Sequence, residues 1–237
     1  QHGNGTKYFG DGQIMYKGGW KEGLPDGHAI VYHRQTGKKA YEGHFQHGLM
    51  DGYGTQYFES GQVWCQGWWK EGELDGHGTV YRRDTGKKSY EGYFKQGMQV
   101  GHGKQYYDNG KIKFEGEWKE GVPDGRGAWY LRETGSRFYE GDFREGRQHG
   151  QGTQYHDNGQ VWYQGEWRKG QPHGHGAVYH HETGNKAYEG MFRYGHKHGA
   201  GAWYDDADMA LDLVGKAVLG HAQRVWRVAQ GRGRASM

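Results

Sequence analysis

Five histidines, His149, His173, His175, His196 and His198, stand where a metal site could be built. On a strand, residues two apart share a face, so His173 with His175 and His196 with His198 could each chelate a transition ion. Five glutamates, Glu42, Glu91, Glu115, Glu140 and Glu189, offer carboxylates for acid–base work. Both sets recur at a fixed interval, and the recurrence weighs against chemistry. Equivalent positions in neighbouring copies would lie about 10 Å apart, too far for one ion to bridge. The histidine position also takes Asp26, Asp51, Asp75 and Asp124 in other copies, so it reads as a polar loop and no metal is assigned. A catalytic carboxylate is normally unique in its site; one repeated five times reads as structural, bonding a neighbouring turn. No nucleophile elbow, phosphate loop or HExxH occurs. The sequence therefore predicts no enzyme, no catalytic residue and no cofactor. Cys65 is the single cysteine, which allows neither an intramolecular disulfide nor a thiolate zinc site. It stands where other copies have Tyr or Phe, and packing is its expected role.

Tryptophans are the stronger candidates for binding. Trp64, Trp68, Trp69, Trp118, Trp129, Trp162 and Trp167 are the residues the sequence offers to a partner. Alternation puts Trp64 and Trp68 opposite Cys65 and Trp69 within one strand, so aromatic surface is expected on both faces of a sheet. Exposed aromatic ridges mark binding surfaces.

The elements that must carry these residues follow from one repeated pattern. An aromatic-x-Gly-x-aromatic core opens at Tyr16, Tyr41, Cys65, Tyr90, Phe114, Tyr139, Tyr163 and Tyr188, with spacings alternating between 25 and 24 residues. A fixed period of this length signals small supersecondary units that bury their apolar faces on each other. In the copy from Phe114 to Gly135, Phe114, Gly116 and Trp118 alternate with Glu115 and Glu117, the period of a half-buried strand. GVPDG (Gly121 to Gly125) is expected to turn, and Arg126 to Tyr130 to return as a second strand. Each copy is thus an antiparallel hairpin, and Gly116 leaves bare backbone for a neighbouring ring to lie on. The 24/25 alternation comes from the connecting turns, GDG, ESG or DNG against RQTG, RDTG, RETG or HETG. Trp20, Trp69, Trp118 and Trp167 alternate in step with Phe45, Phe94, Phe143 and Phe192, so the true unit is a double hairpin of 49 residues.

This pattern resembles the MORN (membrane occupation and recognition nexus) repeat, close to Y-x-G-x-W-x-x-G-x-x-x-G-x-G, including its bacterial-type variant. Tyr90, Gly92 and Phe94 with Gly97, Gly101 and Gly103 make one close instance; Tyr139, Gly141 and Phe143 with Gly146, Gly150 and Gly152 make another. The structural positions are Tyr41, Gly43, Phe45, Phe114, Gly116, Tyr188, Gly190 and Phe192 in further copies. Cys65 and Ala29 depart from the pattern. The resemblance implies an all-β fold, an elongated single-layer antiparallel array of hairpins twisted into a trough. It also implies adaptor or scaffold work, with lipid binding often proposed for the family.

Residues 1–204 read as the repeat domain and 205–237 as a C-terminal segment, in which Ala210, Leu213, Val214, Ala217, Val225 and Val228 keep helical spacing. A helix from about Asp208 to Ala229 is expected to fold back on the sheet. The net charge of +3, finely mixed in sign, argues against nucleic acid. The leading expectation is a non-catalytic scaffold holding a helix or peptide along its aromatic trough. One alternative is a module on anionic phospholipid, although KEG turns such as Lys119-Glu120 pair each cation with an anion. The other is a glycan or cell-wall binder using aromatic platforms. A homodimer stays open. No transmembrane run or signal peptide is visible, the cytoplasm is the favoured compartment, and processing before Gln1 stays open.

Overall fold

The computed structural model describes residues 2–204, nearly all of them in strands or the turns between strands. The expected C-terminal helix lies outside the described residues. The chain divides into two units, Gln1–Gly135 and Ser136–Met237. In the first unit run β1 (Gly3–Tyr8), β2 (Ile14–Lys21), β3 (Leu24–Tyr32), β4 (Lys39–Gln46), β5 (Leu49–Tyr57), β6 (Val63–Lys70), β7 (Glu73–Tyr81), β8 (Lys88–Lys95), β9 (Met98–Tyr106), β10 (Ile112–Lys119) and β11 (Val122–Tyr130). In the second run β12 (Arg137–Arg144), β13 (Arg147–Tyr155), β14 (Val161–Arg168), β15 (Gln171–Tyr179), β16 (Lys186–Arg193) and β17 (His196–Trp203). Within each unit every strand pairs antiparallel with its sequence neighbours, an all-β meander. Even-numbered strands lead a hairpin and odd-numbered strands return.

The hairpin turn is tighter than GVPDG. Lys119 pairs with Val122, so Glu120 and Gly121 alone make the turn and β11 begins at once. Both take positive φ, 49° and 83°. That is the type I′ conformation, whose twist matches the strands it joins. The remaining residues of the expected turn form a bulge instead. Trp118 pairs with Pro123 and Gly116 with Gly127, so Asp124, Gly125 and Arg126 oppose Glu117 alone. The same three-against-one bulge sets Asp51, Gly52 and Tyr53 against His44, and Asp75, Gly76 and His77 against Trp68. Its middle residue is glycine with φ of 103° at Gly52 and 121° at Gly76, a conformation side-chain-bearing residues avoid.

One face of each sheet holds the core, and glycine makes it possible. Gly43 pairs with Gly54, and the Tyr41 ring lies flat across both. The ring over the bare backbone therefore belongs to the same strand, not to a neighbour. Its hydroxyl donates to the carbonyl of His44 at 3.2 Å, the residue the bulge leaves without a partner on β5. Tyr139 and Tyr163 donate likewise to Asp142 and Glu166, at 3.0 and 2.9 Å. Burial pushes the Tyr41 hydroxyl well above the usual phenol range.

Rings then tile the face edge to face. Tyr41 meets Phe45 of its own strand at 5.2 Å and Trp69 of the next hairpin at 5.6 Å. Tyr163 meets Trp167 and Phe192 in the same two ways, both at 5.1 Å. Each such pair contributes about 0.5–1.5 kcal/mol beyond its buried area. The indole nitrogens of Trp69, Trp118 and Trp167 donate to the carbonyls of Gly54, Gly103 and Gly152. Cys65 interrupts the tiling with a small side chain. Burial pushes its thiol up to about 12, which keeps it protonated and unreactive at neutral pH.

Candidate partner-binding face

The face opposite the core is solvated, and the bulge decides what stands on it. Each bulge swings the residue after its glycine directly opposite the fourth core residue of an adjacent leading strand. His28 thus pairs with His44, Tyr53 with Trp68 and His77 with Tyr93. Their rings meet edge to face at 5.5, 5.8 and 5.5 Å. All six are exposed, with Trp68 and Tyr93 each at 53%. A row of ring pairs therefore crosses from β3 to β8 on the side the core does not use.

The predicted tryptophans separate by face. Trp69, Trp118 and Trp167 are buried at 6, 6 and 3% and build the core, so they are withdrawn as partner contacts. They occupy the fifth core position, which alternation turns toward the tyrosine row. Trp64 and Trp68 are exposed. Trp162 is half-buried beside Tyr163, and Trp129 is half-buried and paired with Phe114 on the core side. Sequence reasoning missed His28, His44, Tyr53, His77 and Tyr93. Their signal was the register, which joins the fourth core residue to the residue after the bulge glycine of the preceding strand.

The glutamate row is structural, but it does not reach a turn. Glu42 accepts from Lys39 at 2.8 Å and from the Tyr57 hydroxyl at 3.3 Å; Glu91 does the same with Lys88 and Tyr106, and Glu189 with Lys186 and Tyr204. Bonds to the lysines hold the Glu42, Glu91 and Glu189 carboxyls below the usual range. Glu140 pairs with Arg137, and Glu115 with Lys104. The histidine pair His173 and His175 flanks the bulge glycine Gly174. The His173 ring meets Tyr194 edge to face at 6.0 Å, while the backbone N–H of His175 donates to Glu166. Among the described residues no group of three or more metal-ligating side chains converges.

A family model described as MORN repeat matches residues 1–14, 16–32, 41–63, 65–86, 90–112, 114–131, 139–161, 163–182 and 188–205, which is most of the chain. The chain belongs to the MORN repeat family. Comparison with curated proteins finds no match. The MORN matches number nine, one more than the cores read from the sequence, because the first spans the single return strand β1. MORN repeats are a non-enzymatic family of repeat modules associated with proteins and membranes. The cross-strand ring row occupies positions the MORN core pattern leaves variable.

Proposed function

We propose that this chain is a non-catalytic scaffold that holds a protein segment against the solvated face of its first unit. The observation that carries the reading is the row His28–His44, Tyr53–Trp68 and His77–Tyr93, six exposed rings that the core does not need. Aromatic side chains offer large contact area at low entropic cost and dominate binding hot spots. Trp64 is exposed as well, beside Phe58 at the start of β6. A protein segment ranks ahead of anionic lipid because three of the lysines here are already matched. Lys39, Lys88 and Lys95 pair with Glu42, Glu91 and Asp75.

The test is affinity capture with the full chain and with a Trp68→Ala/Tyr93→Ala variant, alongside sedimentation with anionic vesicles. Both substitutions are exposed, so the circular dichroism and melting temperature should stay within error. The expected result is a protein captured by the unmodified chain and lost by the variant. Identical capture by both would reject the face, and salt-sensitive vesicle binding without protein capture would favour the membrane reading.

A further inference from the structure

We propose that a concavity in the first unit, formed by Asp26, His44, Asp51, Tyr53 and Trp68, takes a lysine or arginine side chain from an extended protein segment. This deepens the scaffold reading and rests on it. The concavity measures about 580 Å³ and spans β2 to β6, with Lys21 also at its wall. Tyr53 and Trp68 stand edge to face at 5.8 Å and are exposed at 47 and 53%. The open π-face of a tyrosine or tryptophan attracts a cation.

The carboxylates give the site its sign. Asp26, Asp51 and Asp75 hold one position in three successive bulges. Asp75 is engaged: Lys95 pairs with it at 3.2 Å, and the backbone N–H of Gln96 donates to it at 3.4 Å. The position that Lys95 fills for Asp75 is filled for Asp26 by Gln46, which carries no charge and also lines the concavity. Among the described residues, no lysine or arginine forms an ion pair with Asp26 or Asp51. For Asp51 that position is Lys70, which forms no ion pair with it and stands outside the lining; among the residues that do line the concavity, two carboxylates face the single ammonium of Lys21 beside two cation-accepting rings. An anionic head group would meet repulsion there, and an apolar side chain would leave both charges unanswered. The ring row continues to His77 and Tyr93, a strip along which the rest of an extended segment can lie.

The probes are three blocked octapeptides in which Ser alternates with Arg, Glu or Leu, titrated into the full chain with Trp fluorescence and calorimetry as readouts. The Arg peptide should bind and the Glu peptide should not. Gln46→Lys supplies Asp26 with the cation that Asp75 already has, and should weaken the Arg peptide roughly fivefold to tenfold. Asp26→Asn/Asp51→Asn should weaken it at least as much, and Trp68→Ala likewise. Arg-peptide binding that is absent, or unmoved by Gln46→Lys and by the double Asn variant, would overturn the proposal. Binding of the Leu peptide that is lost in Trp68→Ala but indifferent to the Asp variants would overturn it too, while leaving the scaffold reading intact. If Trp68→Ala changes none of the three titrations, both readings fall.

Discussion

Gly54 and Gly78 occupy the same place in successive hairpins, but they face different neighbours. A Cβ on Gly54 would overlap the Tyr41 hydroxyl, whereas a Cβ on Gly78 would meet the Phe94 ring and the Gln66 carbonyl at 3.3 Å. The difference is the ring that Cys65 does not supply. Gly54→Ala should therefore lower stability by about 1–3 kcal/mol, and Gly78→Ala by less than about 1 kcal/mol. Urea unfolding of the two variants checks this, and equal losses would show that the tyrosine ring does not set the cost. A second residue-scale prediction concerns pH. Arg34 pairs with Asp11 and Arg132 with Asp108, but in the fourth double hairpin His181 takes the arginine's place against Asp157 at 3.1 Å. Hydrogen bonds to Asp157 and Glu182 raise the His181 pKa above 6.5, and the bond to His181 lowers that of Asp157 below 3.8. The histidine's contribution is thus fully present below pH 6.5 and lost as pH rises through its raised folded value; the aspartate's is lost as pH falls through its lowered one. His181→Arg should flatten the melting temperature between pH 6 and 8 relative to the unmodified chain. The exposed pair makes this a small difference, and parallel curves for the two proteins would reject it.

At the scale of the element, the type I′ turns carry a cost that design could remove. Glu22, His47, Glu71, Gln96, Glu120, Glu145, Lys169 and Tyr194 all sit at φ near 50°, each followed by a glycine. Asparagine tolerates that region better than glutamate does. Glu120→Asn should raise stability by about 0.5–1 kcal/mol, read as a higher urea midpoint at constant slope. The same turns show what the sequence made legible. Strand alternation around Phe114, Gly116 and Trp118 located the leading strands and their buried face without any structure. GVPDG misled because glycine and proline usually mark turns, whereas here Gly125 serves a bulge inside β11 and Pro123 a place opposite Trp118. That bulge in turn sets which residues face each other on the solvated side. Tyr53 and Trp68 are 15 positions apart, and only the register brings their rings together. Alternation already set Trp68 on the face opposite Trp69, but the sequence still offered Trp69, Trp118 and Trp167 to a partner, and their burial withdraws them. Trp68 and Trp69 are adjacent in sequence and differ only in which side of the pleat each takes.

At the scale of the whole molecule, the repeats within the first unit should be separable. Deleting residues 65–113 removes one double hairpin and joins Trp64 to Phe114. Gln56, which now pairs with Cys65, would then pair with Phe114, as Gln105 already does. Trp118 would donate to the Gly54 carbonyl in place of Trp69, and ring contact with Tyr41 would be preserved. The shortened chain should unfold cooperatively with a smaller urea slope, because stability in such arrays is a sum over neighbours. Aggregation or loss of cooperative unfolding would count against a ladder of interchangeable units. The alternating loops also bear on how such a gene can change length. Removing one hairpin would set two loops of equal length side by side. Arg34 reaches Asp11, and Lys38 reaches the Ser60 carbonyl, between a five-residue connection and a six-residue one. Slippage during replication in whole double steps should therefore keep these loop contacts, whereas single steps should lose them, which favours parity of the repeats over any fixed number.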